Sequence, residues 1–179
     1  MLRRVAAVHD LWRRGVADLT VAQVNHVERP GVLPIAFTLV HCVRAEDVSA
    51  ATLLDAGSPL WDEHVQRIGH RGVLPERGTP VADAEQVRIG DMDAWRAYQQ
   101  AAFERTERAL AALQPERLDD VMFEVRRPAG LAGGFLAAYV PDGEIHRGEV
   151  IEAWIFQHAS RHLGELEHAR ALVGLNGLT

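Results

Sequence analysis

Apolar residues recur at three- and four-residue spacings through most of the chain, and four segments hold the pattern long enough to predict long helices. Residues 3–18 place Val5, Val8, Leu11, Trp12 and Val16 on one face, with Gly15 weakening only the end. Thr20 is placed to cap a short helical turn through Val24, before a break at Arg29-Pro30-Gly31. A second helix is predicted from Pro34, where a first-turn proline sacrifices no bond, to about residue 56, ahead of Gly57-Ser58-Pro59. Asp91 is a candidate N-cap for a third helix over 92–114, stopped by Pro115. Its face carries Trp95, Tyr98, Ala102, Arg105, Ala109 and Ala112, with Phe103, Leu110 and Leu113 as the larger apolar groups. The fourth helix spans about 148–173 and ends at Gly174 and Gly177.

The intervening stretches are less periodic. Between 59 and 90, Pro59, Gly69, Gly72, Pro75, Gly78 and Pro80 allow one short helix near 60–68 and then a long loop. Pro115 is expected to open a short turn containing Leu118. VMFEV, starting at Val121, reads as a brief strand, and GGFLAAYV, ending at Val140, as a strand or a buried loop that would pair with it. The expected fold class is therefore all-α: a four-helix bundle with a long crossover between helices two and three and a small hairpin before helix four. No repeat or composition shift divides the 179 residues, so one domain over 1–179 is expected.

Composition narrows the function. Hydrophobic residues make up 47% and charged residues 25%, ordinary for a folded chain, and the net charge is −6. Such a balance offers no broad field for a phosphate backbone, so no nucleic-acid partner is expected. The basic clusters, Arg3–Arg4, Arg13–Arg14 and Arg126–Arg127, are short. No apolar run approaches 18 residues, and MLRRVAAVHDLWRRG carries charges throughout; neither a membrane span nor a secretory signal is expected. A lone cysteine, Cys42, excludes an internal disulfide and suits a reducing compartment, with the cytoplasm the expected location.

The chemistry concentrates in FQHASRHLGELEHARALVGLNG, near the end of the chain. His158 and His162 stand four apart on the stripe formed by Ile151, Trp154 or Ile155, Leu166 and Ala169, so both rings point inward. His168 lies off that line. Two inward imidazoles are costly to protonate together. They can ligate a metal, fill a core with satisfied nitrogens, or work as an acid–base pair. His41 is the candidate third ligand, on a stripe of Phe37, His41, Ala45, Val48 and Thr52. His9 flanks the first helix's core face, His26 precedes a break, His64 and His70 border the crossover and could line an entrance, and His146 lies just before helix four.

Read together, LTVAQVNHVERPG, LPIAFTLVHCVRAED and HASRHLGELEHARALVGLNG resemble the DinB-like family of metal-binding four-helix bundles, across roughly residues 2–177. The resemblance implies that His41, His158 and His162 hold one divalent ion, zinc or nickel, with iron and manganese as alternatives. It also implies a low-molecular-weight thiol cosubstrate such as mycothiol or bacillithiol, in S-transfer or isomerisation, while other relatives are described as hydrolases. No thiol-binding signature carries over residue by residue. A small-molecule substrate and a homodimer are expected.

Around this centre, Glu165, three after His162, is placed to orient an imidazole, and Arg44, three after His41, to hold a substrate carboxylate or sulfonate. Both have a blander reading as surface ion pairs. Glu46 and Asp47 are rotated about 140° and 240° from His41, so at most one reaches the pocket edge. Gly164 costs roughly 1 kcal/mol against alanine inside a helix, which a close approach by another helix or a substrate would explain. Cys42 faces about 100° away from His41 and reads as a small buried hydrophobe. Neither a nucleophile elbow nor a phosphate loop is present, so no serine triad is expected around Ser160.

Overall fold

The computed structural model describes residues 1–123, 135–140 and 143–178. In chain order the elements are α1 Leu2–Ala17, α2 Val21–Val24, α3 Ile35–Leu53, α4 Trp61–Ile68, α5 Val81–Ala84, α6 Met92–Ala112, a 3₁₀ turn Pro115–Asp119, β1 Val121–Phe123, α7 Phe135–Tyr139, β2 Ile145–His146, α8 Arg147–Ile151, a π turn Glu152–Gln157 and α9 His158–Leu172. α8, the π turn and α9 run on as one long helix. With α1, α3 and α6 it makes a four-helix bundle in which α3 packs on α9 and α6, and α1 packs on α6 and α9.

Local chemistry sets the boundaries. Thr20 accepts the Gln23 N–H while the Gln23 side chain accepts the Thr20 N–H, a reciprocal cap for α2. Asp91 accepts from the N–H groups of Asp93 and Ala94 and starts α6. Gly174, with φ +79°, closes α9. Gly15 has a packing role that its helix propensity hides: an added Cβ would come within 2.9 Å of Leu166 on α9. Beside that contact, Arg170 donates to the Gly15 carbonyl at 2.8 Å and grips both oxygens of Asp18 at 2.6 and 3.0 Å, tying the end of α1 to α9.

Two expectations before helix four need correction. Phe135–Tyr139, within GGFLAAYV, is a helix, α7, and not a strand or buried loop. The partner of β1 is instead β2, antiparallel, with Val121 opposite His146, Phe123 opposite Ile145 and an irregularity between. Leu136 and Val140 of this segment lie four apart and both pack into the core, a helical spacing that outweighs strand preference in so short a run. The rest of VMFEV and the pair Arg126–Arg127 lie outside the described residues.

The core has two regions. One gathers Trp12, Leu39, Val43, Trp95, Tyr98, Phe103 and Leu166. The other gathers Val5, Leu53, Leu110, Ile145, Val150, Ile151 and Ile155. The crossover is anchored by Asp47 of α3, wholly buried. Its Oδ2 accepts the N–H groups of Leu60 (2.8 Å) and Trp61 (3.1 Å) and the hydroxyl of Tyr98 (3.1 Å), while Oδ1 pairs with Arg105 of α6. Arg105 also donates to the Ser58 carbonyl. One carboxylate thus fixes α3, α4 and α6 to one another.

Glu46, the preceding residue, turns to another face. It is 1% exposed, and its Oε1 lies 2.9 Å from Nε2 of His9, itself 1% exposed. His9 is therefore in the core, not at its flank. Its ring stacks on Phe103 with centroids 4.0 Å apart, and its Nδ1 meets Glu107 at 2.8 Å. The His9–Glu46 contact is close but not aligned as a hydrogen bond, so neither Glu46 oxygen has a hydrogen-bond partner. For His9, burial is the largest influence and lowers the pKa, but Glu46 and Glu107 together raise it above the ordinary value. The protonated ring therefore contributes fully below about pH 6.5, the unfolded-state value, and that contribution is lost as pH rises through the higher folded-state pKa. His9→Gln should lower stability below pH 6.5 by on the order of 3 kcal/mol, since Glu46 then stays buried without a cation. Urea unfolding from below pH 6.5 to above the raised folded-state pKa should show the wild-type advantage full at the acid end and shrinking as pH rises. An advantage independent of pH would mean that His9 is neutral in the fold.

Candidate metal centre

The second half of the long helix owes its orientation to the π turn. Over residues 152–157 the backbone winds wider than an α-helix, which slips the helical phase by roughly one residue before His158. The turn is braced from α1. Arg4 pairs with Glu152 at 2.7 Å and lies 4.6 Å over the Phe156 ring, and the Gln157 amide donates back to Glu152 at 3.2 Å. After the turn, α9 is regular, and its four-residue step sets the His158 and His162 rings edge to face with centroids 4.5 Å apart.

His41 comes from α3, the neighbour of α9. Its ring centroid is 5.0 Å from that of His158 and 4.9 Å from that of His162. The Nε2 atoms of His41 and His158 face each other at 3.2 Å. One ligand nitrogen from each of the three rings lies within 4.8 Å of the others, and among the described residues no other group of three or more histidine, cysteine or acidic side chains converges in this way. All three rings are half-buried. The stripe expected to carry His41 inward is only partly buried: Val48 and Thr52 are exposed, and the buried face of α3 runs through Leu39, Val43, Glu46, Asp47, Ala50 and Leu53. His41 thus stands at the rim of the core, where a ligand can reach it.

The setting disfavours protonation of two of these rings, His158 and His41. Burial lowers the pKa of His158 to about 3, with His162, His41 and Arg161 pushing the same way. Burial also lowers that of His41, again helped by His162. The buried Pro75 of the crossover brings its carbonyl close enough to oppose this, without making an aligned hydrogen bond: His41 Nδ1 is buried and has no partner. Three imidazoles with converging nitrogens are the donor set that intermediate divalent ions prefer.

Glu165 completes the arrangement on the outer side, its Oε2 2.6 Å from His162 Nδ1. The hydrogen bond to His162 is the main reason its own pKa falls below the ordinary carboxylate value. A carboxylate can only accept, so in this pairing Nδ1–H is the donor and Nε2 is the nitrogen left for a ligand.

The remaining candidates separate clearly. Glu46 and Asp47 turn into the core, as described, and neither reaches the three histidines' pocket. Arg44 is half-buried and makes no hydrogen bond or ion pair among the described residues, so the outward salt bridge is absent. Cys42 is fully buried, and burial raises its thiol pKa well above the ordinary value. His168 is exposed, His26 pairs with Glu28 at 3.0 Å, and His146 caps α8. His64 and His70 both lie against an aromatic cluster, His64 on Tyr98 and His70 on Trp61. Sequence reading missed Pro75 as a neighbour of His41, since nothing in a loop's composition says which residue folds over a helix.

The sequence profile of the DinB superfamily matches residues 4–166. The chain belongs to the DinB superfamily. Its fold is also that of a solved structure described as a conserved protein from Enterococcus faecalis, with a TM-score of 0.71, 20% identity, and coverage of 96% of this chain and 94% of that one. No curated protein matches the chain. Membership of the DinB superfamily and the histidine cluster together fit a metal-binding protein. No helix among the described residues is long and apolar enough to cross a membrane.

Gly164, between His162 and Glu165, has nothing within 4 Å of an added Cβ and is exposed. No close approach by a neighbouring helix requires it, contrary to the packing expectation. Gly164→Ala should therefore stabilise α9 by about 1 kcal/mol and raise Tm by about 2–4 °C. Differential scanning calorimetry measures this; a fall in Tm would show that the glycine has a backbone role.

Proposed function

We propose that this protein is a divalent-metal-dependent enzyme in which His41, His158 and His162 hold one ion, zinc or nickel, and a small thiol or water is activated beside it. The preferred form of the reading is a small-molecule thiol S-transferase. It rests on one observation above the rest: three imidazoles converge from two helices at the edge of the core, with an acceptor behind one of them. The bound ion would supply Lewis acidity, lowering the pKa of a thiol or water and polarising an electrophile.

The chain's own residues account for the remaining requirements. His41 and His158 resist protonation near neutral pH and so stay available as donors. Glu165 holds the His162 ring in one tautomer and orientation. Pro75 covers His41 from the crossover and limits water on that side. Cys42, buried with a raised pKa, is unsuited to act as the reacting thiol, so the thiol is a cosubstrate. The preference for a thiol over water comes from the family resemblance, and mycothiol and bacillithiol are the first cosubstrates to try. A reduced lone cysteine suits a cytoplasmic protein.

Purified protein should contain about one equivalent of a divalent ion. His41→Ala, His158→Ala and His162→Ala should each lower its affinity by more than the 10–100-fold expected for Glu165→Gln, while His168→Ala changes nothing. Isothermal titration with zinc and with nickel reads these values. Unchanged affinity in all three histidine variants would reject the centre.

Turnover across a panel of thiols and electrophiles should require the ion and all three histidines and survive Cys42→Ala. Product formation from water alone, with oxygen taken from labelled water, would instead establish a hydrolase. Metal binding without turnover on either panel would establish a non-catalytic metal-binding protein.

A further inference from the structure

One turn beyond His41 on α3, the environment changes from three imidazoles to a cationic and aromatic group that the proposed reaction does not yet use. Arg44 stands there half-buried with no hydrogen bond or ion pair among the described residues. An arginine without a counter-ion in such a setting is uncommon, because burying its charge is costly unless something pairs with it. Asp47, one turn further along α3, accepts the Trp61 N–H at 3.1 Å, and the Trp61 ring meets the half-buried His70 ring at 5.3 Å, so the crossover brings His70 to the part of α3 that carries Arg44, whose charge favours the neutral form of His70. His70 contributes a second unsatisfied group: its Nε2 is buried and has no partner.

The group is rigidly held. The His70 ring meets Trp61 edge-on at 5.3 Å, Trp61 packs on Tyr98 at 5.4 Å, and His64 lies 5.5 Å from Tyr98. Arg71, next in the chain, exchanges both backbone hydrogen bonds with Arg88, at 3.1 and 3.0 Å. The Ile68 carbonyl accepts from Gly90 and Asp91. The nearby carboxylates are already engaged: Asp47 by Arg105, Tyr98 and the start of α4, Glu46 by His9, and Glu165 by His162. Asp62 and Glu63 of α4 are exposed.

We propose that Arg44 and His70 form an oxyanion subsite beside the three-histidine centre, so that the small molecule turned over there carries a carboxylate or a comparable oxyanion. Arginine offers the planar fork that grips such a group through two parallel N–H bonds, and the neutral His70 ring, in its Nε2–H tautomer, adds a third donor. The assignment of a substrate class rests on the three histidines being the reacting centre; the subsite itself does not.

Metal-free wild-type, Arg44→Gln, His70→Gln and His158→Ala proteins are titrated with inorganic phosphate while the histidine ring signals are followed by NMR. Arg44 is half-exposed and unpartnered, so its replacement should leave the fold intact. The expected result is a saturable shift of the His70 ring in the wild type and in His158→Ala, weakened at least about tenfold in Arg44→Gln. Phosphate shifts that are the same in Arg44→Gln as in the wild type, or confined to His41, His158 and His162, would overturn the subsite.

In a second arm, zinc-loaded protein is titrated with 2-mercaptoacetate, 3-mercaptopropionate and neutral 2-mercaptoethanol. At least one mercapto acid should bind about tenfold more tightly than the alcohol, and Arg44→Gln should erase that preference without changing zinc affinity. Loss of zinc binding with the phosphate response intact would sink the reading of the centre and leave the subsite standing. Normal zinc binding with no preference for the acids would do the reverse.

Discussion

The buried carboxylate of Asp47 is the constraint on which the histidine-bearing end of this molecule depends. It gathers two backbone N–H groups at the start of α4, the Tyr98 hydroxyl and the Arg105 guanidinium. Burial acts most strongly on it and raises its pKa, and those four partners oppose that shift. Because the partners belong to α4 and α6, satisfying this one charge also sets where the crossover leaves α3. From that point Trp61, His70 and then Pro75 are carried back over the face that bears Arg44 and His41. A loop of this length would otherwise have many ways to close.

The centre itself follows from a division of labour along α3. The face carrying Leu39, Val43, Ala50 and Leu53 fills the core, and Glu46 and Asp47 on the same side are each matched by a cation. Another edge carries His41, whose Nε2 meets only the His158 ring, and Arg44, which makes no hydrogen bond or ion pair among the described residues. His158 and His162 approach that edge from α9 because Gly15 lets α1 and α9 pack closely at Leu166 while Arg170 secures the end. Burial that is deep enough to keep imidazoles neutral but shallow enough to admit a ligand is the condition a metal centre needs.

Much of this was legible in the sequence, for identifiable reasons. The four long helices, the Thr20 and Asp91 caps and the glycine stop at Gly174 are local, and local signals are what a sequence states directly. The four-residue step of His158 and His162 is likewise local. The meeting of those rings with His41 needed the packing of two helices, and the family resemblance supplied what periodicity could not. Short segments are ambiguous in sequence because a few residues satisfy several templates: Phe135–Tyr139 has strand-forming residues yet forms a helix. Spacing places His41, Val48 and Thr52 on one stripe, but α3 is apolar on nearly every side, and spacing alone does not tell rim from core. His9 and Glu46 are far apart in sequence and individually unremarkable. Their pairing exists only in three dimensions.

The π turn has a bearing on how such a protein can change. In an unbroken α-helix, adding or removing one residue rotates everything beyond it by about 100° and would carry both histidines off their target. Here the slip is already built into residues 152–157, between a segment that packs with Leu53, Leu110 and Ile145 and a segment that packs with Trp12, Leu39 and Phe103. The long helix therefore behaves as two independently phased pieces. Substitutions that repack the region around Ile151 and Ile155 can be absorbed by small adjustments of the wide turn, leaving the direction of the rings at 158 and 162 unchanged. That uncoupling lets one end of the bundle drift in sequence while the other keeps its histidines in register.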